Sequence, residues 1–162
     1  MSERWNPEGY AKSNIVEVLN MLNDAWFKSI LNNVIFEKHD RVLECGVGGG
    51  KWSALFAMLG CDVTMLDNNA EMLYIAQDNF PYFKFRTRLD DVRTLNTVED
   101  NYHDLVFSDG LAEHFLDDNE RKNVIRNMCD KLAPGGLLIY TVPIKSMKED
   151  EHQYADEQEI EV

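Results

Sequence analysis

The chain has 162 residues, enough for one compact domain and too few for two ordinary ones. Hydrophobic residues make up 44% of it, as in a globular protein with a real core, and no run approaches the length that crosses a bilayer. A net charge of −13 repels phosphate backbones, which argues against nucleic acid as a partner and toward a small-molecule ligand.

The largest basic cluster, Arg86, Arg88 and Arg93, is too small to reverse that reading. Met1-Ser2-Glu3-Arg4 is followed by polar residues and a proline, so no signal peptide is expected. Cys45, Cys61 and Cys129 sit in apolar contexts without metal-ligand spacing. They read as buried, reduced thiols of a cytoplasmic protein, with no metal implied.

In chain order, a first helix is expected over 13–33, opened by Asn14 with Glu17 as its capping-box partner. Ile15, Val18, Leu19, Leu22, Trp26, Ile30 and Leu31 follow helical spacing and form a stripe expected to face the core. Arg41 to Cys45 reads as a short buried strand, then glycines, then a helix from Lys51 to Leu59 ended by Gly60. Cys61 to Leu66 is the second strand. Asn68 with Glu71 caps the next helix, which Pro81 stops.

Phe83, Phe85 and Thr87 alternate with Lys84, Arg86 and Arg88, a third strand with one wetter face. Asp104 to Ser108 is the fourth, leaving His103 just ahead of it at the far end of the sheet. Asp117 and Glu120 cap a helix carrying Val124, Ile125, Met128 and Leu132. After a turn at Ala133-Pro134-Gly135-Gly136, Leu137 to Val142 is the fifth. This alternation is that of an α/β, doubly wound, Rossmann-like and mainly parallel sheet, whose ligands bind beyond the carboxyl ends of the strands.

Glu44-Cys45-Gly46-Val47-Gly48-Gly49-Gly50 joins the first strand to its helix. Glycines permit close approach to the backbone, and the new helix turns free N–H groups toward a ligand. The spacing departs from the dinucleotide fingerprint G-x-G-x-x-G, since Lys51 stands at its last position, and no register supplies a P-loop. What remains is E-x-G-x-G-x-G. Its carboxylate is awkward beside a pyrophosphate but suits a ligand carrying both an ammonium and a carboxylate.

With these motifs the chain resembles the class I S-adenosylmethionine-dependent methyltransferases over most of Arg41 to Pro143. The resemblance implies that Glu44, Gly46, Gly48 and Gly50 bind S-adenosyl-L-methionine at its methionine end. In VTMLDNN, Asp67 stands where the family has its ribose-binding acid, with Asn68 beside it. LDDVRTL resembles the adenine-binding segment, with Asp91 the candidate for the adenine amino group, Asp90 its alternative, and Val92 offering its backbone. SDGLAEHF resembles the region facing the reacting centre, beginning at Ser108 and ending near Glu113 and His114. LAPGGLLIYTVP is similar to the turn and fifth strand of small-molecule methyltransferases.

His114 is the candidate general base, with a structural role in shaping its loop as the alternative. In similar proteins the first helix forms a partial lid over the cofactor. Tyr10 ahead of it could meet the sulfonium by cation–π attraction, whereas Trp5 reads as packing. Trp52 reads as packing on the sheet.

The methyltransferase domain is thus expected over 1–144, with 145–162 an acidic tail or the start of a further helix. Related domains end in an antiparallel strand pair absent here, so the sequence is expected to be a fragment, or else a natural minimal form. The fifth strand would then offer an apolar edge for association. A cofactor-binding protein or partner subunit without catalysis, and an NAD-dependent oxidoreductase, are the rival functions.

Overall fold

The alternation of strands and helices builds a single parallel sheet in the computed structural model, which describes residues 12–111, 114–115 and 117–141. Helices α1 (Ile15–Met21) and α2 (Ala25–Asn33) precede β1 (Arg41–Cys45) and α3 (Lys51–Met58). Then come β2 (Asp62–Asp67), α4 (Ala70–Asn79), β3 (Arg86–Leu89), β4 (His103–Ser108), α5 (Asp118–Asp130) and β5 (Leu132–Tyr140). The sheet order is β3-β2-β1-β4-β5, parallel throughout.

Alternation along the central strands sorts their side chains between two cores. Val42, Val63, Met65, Leu105 and Phe107 face a cluster with residues of α1 to α4, including Val18, Phe27, Leu55, Phe56 and Leu73. Leu43, Leu66 and Val106 face the other way, toward Val124 and Met128 of α5. Glu44, two residues beyond Val42, therefore points to the α3 side.

The sheet begins with a clamp. Arg41 donates to Asp104 through Nε at 2.8 Å and Nη2 at 2.6 Å, joining the first residue of β1 to the second of β4. That contact, despite the burial opposing it, holds the Asp104 carboxyl well below the usual range, at about 2.

Four expectations change. The single helix over 13–33 is two, because Asn23 and Asp24 donate back to Asn20 and Met21 at 2.9 and 3.0 Å and close α1, while Lys28 donates to Asp24 and opens α2. Only part of the stripe is core: Val18 is buried, whereas Ile15 and Leu19 are 44% and 45% exposed, and Phe27, which is outside the stripe, is buried too. β3 starts at Arg86, since its ladder with β2 begins at Thr64↔Arg86; Phe83 and Phe85 pack against the core ahead of it. β5 starts at Leu132, and the Ala133–Gly136 stretch is a register shift within the strand, opposite His103 to Leu105.

Two smaller corrections concern single residues. His103 is the first residue of β4 and is buried, and Cys129 is exposed while Cys45 and Cys61 are buried. The expected strand end at Val142 and the acidic 145–162 stretch lie outside the described residues. Among the described residues no helix is long and apolar enough to cross a membrane.

Asp117 caps α5 as expected, accepting from the Glu120 N–H at 2.9 Å. Asp117→Ala should lower stability by about 1 kcal/mol, or roughly 2–4 °C of melting temperature in thermal denaturation. An unchanged melting temperature would show that water serves that helix end equally well.

Candidate functional site

The chain runs β1, β2, β3 outward on one side and then returns to place β4 on the other flank of β1. The crevice at this reversal opens between the carboxyl ends of β1 and β4, where the glycine loop lies.

Gly46, Gly48 and Gly50 all take positive φ, at 77°, 49° and 82°. They do so for different reasons. A Cβ on Gly50 would stand 2.9 Å from the Ala76 side chain, so α3 and α4 can approach only without one. Around Gly48 no atom of the described residues lies within 4 Å of where a Cβ would stand. That is the open face of the loop, against which a ligand can lie. Gly50 is the N-cap of α3 without a side-chain cap, so the helix start relies on other partners for its N–H groups.

Glu44 lies beneath this loop rather than on its surface. It is 2% exposed, and Ser53 of α3 donates its hydroxyl to the carboxyl. Burial pushes its pKa up to about 8; Ser53 opposes the rise, and the charges of Asp109 and Asp67 add to it.

Asp67 ends β2 half-buried, accepting from the Asn69 N–H at 2.9 Å. Burial raises its pKa, opposed by the backbone N–H groups of Asn69, Val47 and Asn68 and by the charge of His114. Asn69, not the expected Asn68, caps α4, accepting from Glu71 N–H at 2.9 Å. The bond from Asn69 N–H to Asp67 turns the chain one residue further before the helix starts. Asn68 is exposed beside the loop.

Beyond β3, Asp90 is spent on its own loop. Its carboxylate accepts from Thr97 N–H at 2.6 Å, Thr97 Oγ1 at 2.8 Å and Asp91 N–H at 2.8 Å. Burial pushes its pKa upward, but these bonds outweigh it and the net shift is down. Asp91 accepts from the Arg93 N–H at 2.8 Å and pairs with its guanidinium at 3.1 Å. Val92 sends its side chain into the α5-side core.

Ser108 is fully buried, and its hydroxyl donates to the Cys45 carbonyl at 3.1 Å, tying β4 to β1. His114 is exposed in a short turn, its N–H on the Leu111 carbonyl at 3.2 Å, close enough for its charge to act on Asp67. Tyr10 and Glu113 lie outside the described residues. Among the described residues, no group of three or more His, Cys, Asp or Glu side chains could hold a metal ion.

Sequence reasoning missed the polar pairs that fasten the site. Trp52 packs on the sheet as expected, but its Nε1 also donates to Asp109 at 2.9 Å. Thr141 donates to the same carboxylate at 2.6 Å. Asp109 lies within the SDGLAEHF segment, yet neither spacing nor periodicity marks Ser53, Asp109 or Thr141 as partners.

Residues 42–136 match the methyltransferase domain family, which is more than half of the chain. The ubiquinone biosynthesis O-methyltransferase of Bordetella avium is 29% identical over 139 residues, covering 85% of this chain and 54% of its own length. The chain spans about half the length of the curated relatives it matches. Among solved structures, the N-methyltransferase NodS of Bradyrhizobium japonicum, in complex with S-adenosyl-L-homocysteine, superposes with a TM-score of 0.65 at 18% identity. It covers 86% of this chain and 72% of its own. A methyltransferase structure from Methanosarcina mazei, described as S-adenosylmethionine-dependent, gives 0.62 at 24% identity over 68% of this chain and 55% of its own. Glycine loop, switch point and sheet order agree with these likenesses, and the chain belongs to the methyltransferase domain family as a class I S-adenosylmethionine-dependent member.

Proposed function

We propose that the chain binds S-adenosylmethionine over the glycine loop and transfers its methyl group directly to a small-molecule acceptor. The observation that carries this reading is the open face at Gly48, flanked by the buried Glu44 carboxyl and by Asp67 at the end of β2. Gly46, Gly48 and Gly50 admit the methionine end, and the Glu44 carboxyl behind it, which keeps its proton in the ligand-free chain, would answer the ligand's positive charge by giving that proton up. Asp67 suits vicinal ribose hydroxyls, because one carboxylate can accept from both. Asn68 stands exposed at its side. Asp91 is favoured over Asp90 for the adenine amino group, since Asp90 is tied into its own loop by Thr97 and Asp91, whereas the pair Asp91 makes with Arg93 is solvent-exposed. Val92 and Ser108 would contribute through their backbones, and Tyr10 remains a candidate for the sulfonium.

Bound there, S-adenosylmethionine supplies an activated methyl group, so no protein nucleophile is needed. The chain's own residues orient the reactants and exclude water. A base is required only for an acceptor that is protonated at working pH. His114 is the candidate, supported by its nearness to Asp67 on the ligand side of the sheet. The O-methyltransferase relatives make hydroxyl acceptors the first to try. Three free cysteines support a reducing, cytoplasmic setting, and Leu137 on the edge strand β5, 41% exposed, supports association through that edge.

Calorimetry with S-adenosylmethionine, S-adenosylhomocysteine and NAD tests the cofactor. Binding of the first two without the third is expected, and tight NAD binding alone would end the reading. Turnover on a panel of phenols, alcohols and amines tests the reaction. Binding that persists without turnover on any acceptor would favour a cofactor sensor or an inactive partner subunit.

A further inference from the structure

We propose that Asp109 is a positioning residue that clasps the loop after β4 to the first turn of α3. The clasp would hold the acceptor side of the cleft in register with the glycine loop; in its ligand consequences the proposal rests on the cofactor reading above.

Asp109 is the first residue past β4, and its two carboxylate oxygens serve two separate parts of the chain. Oδ2 accepts from Trp52 Nε1 at 2.9 Å, and Oδ1 accepts from Thr141 Oγ1 at 2.6 Å. The Thr141 hydroxyl also accepts from Gly110 N–H at 3.3 Å, and the Thr141 N–H donates to Ser108 O at 3.0 Å. One side chain thus joins the start of α3, the end of β5 and its own loop.

The donor on the α3 side is held rigidly. The Trp52 indole is buried among Phe107, Phe27 and Phe56, with ring centroids 4.7, 5.6 and 6.3 Å away. An indole packed in this way has few rotamers to explore, so its N–H marks a fixed point. Two residues beyond Asp109, Leu111 rests on the glycine loop, its Cδ1 3.2 Å from where a Cβ on Gly46 would stand. The loop is therefore seated on the cofactor side at Leu111 and pinned beside it at Asp109. Slack at the pin would be felt where Leu111 meets Gly46.

The chemistry separates position from charge. A carboxylate accepts both donors. An asparagine can keep Trp52 with its carbonyl oxygen and offer its NH₂ to the Thr141 oxygen, because a hydroxyl both donates and accepts. Alanine can do neither. Asp109→Ala takes this acceptor from the buried Trp52 N–H, so some fall in melting temperature is expected beside the loss at the site.

The test uses the 162-residue chain with Asp109→Ala, Asp109→Asn and Trp52→Phe. The indole N–H resonances are followed by NMR, with Trp52→Phe assigning the Trp52 signal. Asp109→Ala should shift that signal and weaken S-adenosylmethionine and S-adenosylhomocysteine by roughly tenfold, as misplacement of a binding element does. Asp109→Asn should stay within about threefold of the parent for both ligands, and Trp52→Phe should weaken both less than Asp109→Ala does.

An unmoved Trp52 signal in Asp109→Ala overturns the clasp. So does a fall in melting temperature with ligand affinity unchanged, which marks a merely structural role. Equal damage from Asn and Ala would assign the effect to charge and overturn positioning. If Asp109→Ala does not fold, Trp52→Phe decides, and parent-like affinity there rejects the proposal. If the parent chain binds neither ligand, the cofactor reading fails, and the indole signal alone still judges the clasp.

Discussion

Replacing Gly50 with alanine should lower the stability of the chain by about 3 kcal/mol, a fall of roughly 6–12 °C in melting temperature for a protein of this size. Two contributions add. Gly50 holds φ at 82°, where a side chain costs about 1–2 kcal/mol. The new Cβ would also stand 2.9 Å from the Ala76 Cβ and 3.2 Å from the Ala76 Cα and carbonyl oxygen. Those last two atoms belong to the α4 backbone, so relief requires the helices to part, and overpacking of this kind costs about 1–3 kcal/mol.

Gly48→Ala is the control. It carries the strain of φ at 49° but meets no atom of the described residues within 4 Å, so its stability loss should be only about 1 kcal/mol. Its effect belongs to the ligand instead, because the added methyl occupies the open face. Thermal denaturation and calorimetry with S-adenosylmethionine separate the two. Equal melting temperatures for the variants would refute the division of labour between glycines that hold helices apart and glycines that admit ligand.

Glu44→Gln should act in the opposite direction, stabilising the ligand-free chain above neutral pH while weakening its hold on ligand. Burial, with the nearby charges of Asp109 and Asp67, lifts the Glu44 carboxyl from 4.5 to about 8 against the pull of Ser53. Below pH 4.5 folded and unfolded chains both keep the proton, and no penalty arises. As pH rises from 4.5 toward 8 the unfolded chain has released a proton that the folded chain retains, so stability falls. Above 8 the penalty is constant, with a ceiling of about 5 kcal/mol.

His103 tilts the curve the other way. Burial pushes its imidazole from 6.5 down to about 4, so stability is lost as pH drops through that interval. Glutamine at 44 removes only the first slope. Parent and variant should unfold alike near pH 5 and differ by about 3 kcal/mol at pH 8, with the variant the more stable. Calorimetry should show the variant binding S-adenosylmethionine at least tenfold more weakly, because a neutral amide cannot answer a cationic ligand. A variant that is less stable at pH 8 would rule out the buried-acid account.

These two residues mark the boundary of what could be read from residues alone. The glycine spacing, the acid at a strand end and the order of strands all leave periodic or positional marks, and β1 and the start of α3 fall where those marks place them. That Glu44 lies under the loop follows from strand alternation only once the α3 side of the sheet is known. Ser53 and Thr141 leave no mark, because a hydroxyl that donates to a carboxyl looks in sequence like any polar surface residue. The first helix misled for a physical reason. Its apolar stripe continues through Asn23 and Asp24, whose backbone bonds to Asn20 and Met21 end one helix and start another without breaking the pattern. β3 misled because Phe83 and Phe85 alternate like strand residues but earn their burial by packing against the core, outside the ladder.

The short strand β3 has a further bearing, on self-recognition. It is the rim of the sheet next to β2 among the described residues, and within its four residues it carries Arg86 and Arg88 on one face. Arg86 reaches the Tyr102 hydroxyl and Arg88 the Thr97 carbonyl, so both guanidiniums lie toward the 97–102 loop. A second copy docking edge to edge there would bring like charges together as the ladder formed. The fold thereby discourages growth of the sheet on this rim, and mutations that neutralise these arginines could leave ligand binding intact while altering how the protein behaves in a crowd.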